Sequence, residues 1–195
     1  MHRPRPTVIR ALTMPQPAHA PWRGRLALAA FCTTVWSTAM TAPPATQVRS
    51  FHLDASRDAV FPLFTALGER AWAPGWEPVI LSGSEERGSA FRTRDHRGRE
   101  TTWVVTDYRP ADGRVSYARL AQDSNIGLVD VICAASPAGG TDVSVRYTLT
   151  PISEQGQSFV REFLSDAQYA RMIEEWRSAV SAALKPAAGT PPPKS

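Results

Sequence analysis

Residues 141–184 read TDVSVRYTLTPISEQGQSFVREFLSDAQYARMIEEWRSAVSAAL, and the architecture turns on this stretch. Its first ten residues alternate. Val143, Val145, Tyr147 and Leu149 fall on one face, and Ser144, Arg146 and Thr148 on the other. Period-two alternation of that length predicts a strand with one buried face. Beyond it the period changes. Phe159, Phe163, Ala167, Ala170, Ile173, Val180 and Leu184, joined by Trp176, recur at steps of three or four. That is the stripe of an amphipathic helix, with Ile173 and Trp176 expected buried at its middle. Ser165 followed by Gln168 resembles a capping box, so the spacing also predicts a break or kink near Ser165.

Working outward, the residues before this stretch supply what the helix must cover. Thr46–Asp54 reads as a strand with Phe51 and Leu53 on one side. Ser56 is placed to cap a short helix whose apolar face is Val60, Phe61 and Phe64. Residues 72–78, WAPGWEP, are punctuated by two prolines and a glycine and predict a loop. Strand-like runs follow at about 79–83, 88–95, 100–109, 113–120, 126–135 and 141–150. Their separators are turn residues: Gly83-Ser84, His96-Arg97-Gly98, Asp112-Gly113, Asn125 and Gly139-Gly140. The order is one strand, one helix, six strands and a long helix. An α+β fold follows, in which a curved antiparallel sheet wraps a long C-terminal helix and leaves space between them.

Composition divides the 195 residues into a leader (1–45), a domain (46–185) and a Pro-rich tail (186–195). The formal charge of +4 belongs to the leader, which holds Arg3, Arg5, Arg10, Arg23 and Arg25 and no acidic residue. Removing those five from 22 basic side chains leaves 17 against 18 acidic ones, so the domain has no electrostatic footprint for nucleic acid. In the leader, the apolar run Leu26–Met40 stands behind Arg23 and Arg25 and ends in small residues, the order of a secretory signal. Three readings stay open. Export to the periplasm is one, a cytoplasmic protein starting near Met40 is another, and an anchor is the third. The run is too short and too rich in Thr and Ser for a good membrane span, so no stable insertion of the domain is expected.

The quoted stretches carry a resemblance. FHLDASRDAVFPLF (51–64), WAPGWEP, GSAFRT (88–93), TTWVVTDYRP (101–110) and YTLTPISEQG (147–156) leading into YARMIEEW (169–176) resemble the START-like, or SRPBCC, superfamily in its polyketide cyclase/dehydrase-like branch. The resemblance spans roughly Val48–Leu184 and implies a helix-grip fold around a hydrophobic cavity. It does not fix an activity, because that superfamily includes lipid carriers, quinone-binding proteins, hormone receptors, cyclases and chaperone-ATPase activators.

Residue chemistry narrows the choice. His52 alternates with core residues and His96 sits in a charged turn, so neither is placed as a metal ligand, and no cofactor is implied. Cys133 shares a strand face with Val129 and Val131 and reads as an inert buried thiol. Arg92, Arg94, Arg97 and Arg99, with Glu85 and Glu86, flank one hairpin and read as a solvated edge of mixed charge. The aromatics are more informative. Trp72, Trp76, Phe91, Trp103, Tyr117, Tyr147 and Phe163 are candidates for the walls of a ligand pocket, with Trp72 and Trp76 near its mouth. Arg119, two residues from Tyr117 on one strand face, is a candidate cation inside or at the rim, or else an exposed strand end. The leading expectation is a binder of a small hydrophobic ligand: a lipid, a quinone or a polyketide-like compound. The alternatives are a cyclase or dehydratase using Tyr117, Arg119 and Tyr147, and a non-catalytic interaction module. Oligomeric state is not legible.

Overall fold

The computed structural model describes residues 42–185; the leader through residue 41 and the tail 186–195 lie outside the described residues. The strands are β1 (Ala45–Leu53), β2 (Val79–Ser82), β3 (Ala90–Arg94), β4 (Glu100–Arg109), β5 (Arg114–Ala121), β6 (Asn125–Ala135) and β7 (Thr141–Pro151). They form one antiparallel sheet in the order β1-β7-β6-β5-β4-β3-β2. Strands β2 to β7 are a plain meander, and β1 crosses to pair with β7 along its whole length. All six runs after the WAPGWEP loop are strands near their expected bounds.

The alternation of β7 is realised as expected. Val143, Val145, Tyr147 and Leu149 are buried, and the residues between them lie toward the outer face. Register then places side chains in rows across the concave face. Val105, Tyr117, Val129 and Tyr147 stand directly opposite one another on β4, β5, β6 and β7. The next row is Trp103, Arg119, Gly127 and Leu149, with Phe91 of β3 opposite Trp103. A register shift between Val105 and Asp107 interrupts β4 beside these rows, a feature that bends a strand. At the far edge, β2 is four residues long and fully exposed, including Val79, Ile80 and Leu81.

Two of the expected helix signals are corrected. Ser56 occupies the N-cap position of α1 (Arg57–Val60), and its carbonyl accepts from Ala59 N and Val60 N at 3.0 Å, but its side chain makes no capping bond. The helix is one turn, continued by a 3-10 turn at Phe61–Phe64, because Pro62 cannot donate into an α-helical ladder. The C-terminal stripe is divided as foreseen, into α2 (Glu154–Phe163) and α3 (Asp166–Ala183). However, Ser165 does not cap α3 through its side chain; its hydroxyl donates backward to Glu162 O at 2.7 Å.

The working side-chain cap belongs to Ser153. Its Oγ accepts from Gly156 N at 2.9 Å and donates to Asp123 O at 2.6 Å. Ile152 N donates to Ser124 O at 2.8 Å. The first turn of α2 is thereby fastened to the β5–β6 turn. Gly156 lies so close to that turn that a Cβ there would fall 1.7 Å from Ser124 O.

Helix α3 packs on β1, and Arg49 of β1 forms an ion pair with Asp166 at its start. Tyr169, Ile173 and Val180 are its buried side chains, and Tyr169 donates to Val145 O at 3.0 Å. Trp176 is half-buried rather than buried. Sheet and helix together are the helix-grip arrangement. Among the described residues no helix is long and apolar enough to cross a membrane.

Candidate functional site

A cavity of about 250 Å³ remains between the concave face of the sheet, the two C-terminal helices and the loop after α1. All eight side chains singled out in the sequence line it: Trp72, Trp76, Phe91, Trp103, Tyr117, Arg119, Tyr147 and Phe163. The sheet rows explain why. Phe91, Trp103, Tyr117, Arg119 and Tyr147 belong to two adjacent rows of one face, although they are far apart in sequence.

The indole N–H groups of the walls are tied back by hydrogen bonds. Trp72 Nε1 donates to Leu63 O at 2.6 Å, Trp76 Nε1 to Ala66 O at 2.7 Å, and Trp103 Nε1 to Thr93 Oγ1 at 2.9 Å. Each satisfies an indole N–H whose burial would otherwise be costly. Phe91 and Trp103 are stacked, with ring planes 4° apart and centroids 5.8 Å apart. Tyr117 and Trp76 each meet that stack edge-on. On the helix side Phe159 stacks on Phe163, which meets Tyr147 edge-on at 5.3 Å. Trp176 meets Trp72 at 5.2 Å. Trp72 is only 7% exposed, so it is an interior wall and not part of a mouth as its loop position suggested.

The polar groups differ in how committed they are. Tyr117 OH donates to Phe64 O at 2.9 Å and serves the fold. Tyr147 is buried and lines the same cavity. Burial raises the pKa of both phenols, so each is a neutral hydroxyl in ordinary buffers. Arg119 is buried at 8% exposure, which decides between its two expected placements in favour of the interior. Its guanidinium carbon stands 5.2 Å from the Trp103 ring centroid. Burial lowers its pKa.

Glu69, which sequence reasoning passed over, also lines the cavity. Glu69 is half-buried, and its partial burial raises its pKa above the usual carboxylate range. A lone acid four residues ahead of the WAPGWEP loop's alanine was the available signal. Phe159, Met172 and Trp176 complete the helix side, and a helical stripe cannot by itself separate residues facing a void from residues facing core.

The other candidates for chemistry lie elsewhere. Cys133 is buried and its thiol is pushed up to about 12, which leaves it unreactive. His52 is exposed on the outer face and bonds Asp142 at 2.8 Å, which raises its pKa. Arg92 and Arg94 pair with Glu100, and Arg99 with Asp95. Among the described residues no three His, Cys, Asp or Glu side chains gather to hold a metal ion.

The family model described as polyketide cyclase / dehydrase and lipid transport matches residues 44–189. The chain belongs to this family. No curated protein matches the sequence. Among solved structures, similarity extends to the Zhui aromatase/cyclase from Streptomyces sp. R1128, at 18% identity and a TM-score of 0.58, covering 75% of this chain and 99% of that one. The norcoclaurine synthase from Thalictrum flavum is similar at 9% identity and a TM-score of 0.56, covering 82% and 97%. Ginseng major latex-like protein 151 from Panax ginseng is similar at 10% identity and a TM-score of 0.57, covering 74% and 100%. Identities this low speak to the fold, and the polyketide cyclase/dehydrase and lipid-transport family carries that same sheet-and-helix frame here.

Proposed function

We propose that this chain binds a small, planar, largely apolar molecule in the aromatic cavity. The observation that carries the reading is an unfilled space of about 250 Å³ amid aromatic side chains whose own polar atoms are mostly tied back to the protein. Volume sets the size of ligand. An apolar cavity of about 150 Å³ accepts benzene, so this one suits two fused rings or one ring with a short chain. Long-chain lipids and folded polyketides need more room. Burying roughly 300 Å² of such a ligand gains about 7–8 kcal/mol at about 25 cal/mol/Å². Association costs offset at least about 4 kcal/mol of that, leaving at most about 3–4 kcal/mol and an affinity of about millimolar or weaker for a generic neutral probe.

The test uses naphthalene-2-carboxamide as a neutral probe, followed by saturation-transfer NMR and equilibrium dialysis. A saturation-transfer signal from the bound probe is expected, and Ala73→Leu, which puts a larger side chain at the cavity wall, should weaken it severalfold while the fold still melts cooperatively. Absence of binding at the solubility limit of the probe would refute the proposal.

A second reading is favoured by Glu69. A carboxyl whose pKa is raised by burial, in the cavity that also holds Tyr117 and Tyr147, suits general acid–base work. The chemistry would be enolisation or dehydration of a bound carbonyl compound, in keeping with the aromatase/cyclase and synthase named among the similar structures. Glu69→Gln would then abolish turnover while leaving binding intact.

A further inference from the structure

Among the described residues Arg119 has no counter-ion. It is buried on the concave face of β5, its Nε has no hydrogen-bond partner, and no described carboxylate lies within ion-pair distance. The face of Trp103 offers a cation–π contact, but that is a small return against withdrawing a guanidinium from water. Glu69, the acidic residue of the aromatic cavity, makes no ion pair with it. Gly127, opposite Arg119 on β6, contributes no side chain.

The surroundings of Arg119 are divided. It and Phe159 line both the aromatic cavity and a second pocket of about 220 Å³. The two carboxylates in that second pocket are already engaged. Asp95 is held by Arg99 at 2.7 Å, and Glu100 by Arg94 at 2.6 Å and by Arg92 at 3.3 Å. Asn125 lines the same pocket, fully buried. Its Nδ2 donates to Ser124 Oγ at 2.9 Å, and its Oδ1, an acceptor, has no partner among the described residues. Two buried polar groups, each left incomplete, therefore face one small space that adjoins an aromatic one. Such groups are ordinarily satisfied.

We propose that the ligand is an aromatic acid, with its ring system in the aromatic cavity and its carboxylate on the Arg119 guanidinium at the junction with the second pocket. This rests on the ligand-binding reading above and adds the chemical class. The planar fork of an arginine matches a carboxylate through two parallel N–H···O bonds. A carboxylate also supplies the charge that the fold withholds from Arg119.

The experiment compares naphthalene-2-carboxylate with naphthalene-2-carboxamide, which share size and ring system and differ in charge. Equilibrium dialysis is run on the full chain at pH 7.5. Wild type should bind the carboxylate at least about tenfold more tightly, the range expected for hydrogen bonds to a charged group. Arg119→Met should abolish that preference, so that the carboxylate binds no more tightly than the carboxamide. Its melting temperature should match or exceed wild type, since an uncompensated buried charge is gone. Arg119→Lys should keep a reduced preference, and it decides the matter if the Met variant fails to fold. Equal affinity of wild type for both probes, or an acid preference that survives Arg119→Met, overturns the inference alone. If neither probe binds wild type, the ligand-binding reading falls and takes this inference with it.

Discussion

Gly156→Ala tests whether α2 is truly seated on the β5–β6 turn. In an exposed helix the change would gain up to about 1 kcal/mol, because alanine is the better helix former. Here the new Cβ would fall 1.7 Å from Ser124 O, 2.7 Å from Ser124 C and 3.1 Å from Ser124 Cα, all of them backbone atoms with no rotamer to turn aside. Relief requires α2 to lift. Lifting stretches the bonds Ser153 Oγ to Asp123 O (2.6 Å), Ile152 N to Ser124 O (2.8 Å) and Gly156 N to Ser153 Oγ (2.9 Å). Overpacking costs about 1–3 kcal/mol, and each weakened bond about 0.5–1.5 kcal/mol. Set against the propensity gain, the net loss is about 2–5 kcal/mol. Urea unfolding should show a lower midpoint with an unchanged slope. The melting temperature should fall by about 3–5 °C for each kcal/mol in a domain of this size. Ser158→Ala, two residues on at an exposed position, should stay within about 0.5 kcal/mol of wild type. A Gly156→Ala protein as stable as wild type would refute the seating and with it the placement of Phe159 over the cavity.

Two further outcomes follow from the cavity. Trp176→Ala should cost about 2–3 kcal/mol in urea unfolding, less than the roughly 3–5 kcal/mol of a fully buried tryptophan, because the side chain is half-buried and leans on Trp72 at 5.2 Å; a loss below about 1 kcal/mol would show that it packs on nothing. Glu69 gives a pH dependence of definite sign: its folded pKa lies above its unfolded value, so its contribution is fully present below the unfolded value of about 4.3 and is lost as pH rises through the folded one. His52, also raised, adds a trend of the same direction, so the comparison is with Glu69→Gln, whose melting temperature should fall less than that of wild type between pH 5 and pH 8.

Much of this molecule was readable in one dimension because it is written in periods. The strict alternation of Val143 to Leu149 and the three-and-four spacing from Phe159 to Leu184 each report a one-sided environment, and the structure supplies one. The wall aromatics were legible for the same reason, since rows on one face of a meander converge whatever their separation in sequence. What stayed hidden depends on contacts between elements. Ser165 carries a capping-box spacing, but its hydroxyl turns back to Glu162, and Ser153 caps instead because the β5–β6 turn offers it Asp123 O. Arg119 reads equally well as an exposed strand end, because its burial comes from packing between elements. Glu69 has no period at all. Its altered acidity comes from burial in the folded chain, which no local pattern reports.

The open edge at β2 bears on how this protein behaves in concentrated solution. Val79, Ile80 and Leu81 present apolar side chains on a strand whose outer backbone groups no other strand of the sheet pairs with, a template onto which a second chain could add. Its defence is brevity. Pro78 withholds a donor at one end, and Gly83, at φ 65°, turns the chain away at the other, so only four residues are offered. Lengthening that run, by replacing Pro78 with a β-branched residue, would convert a tolerated edge into a nucleus for precipitation.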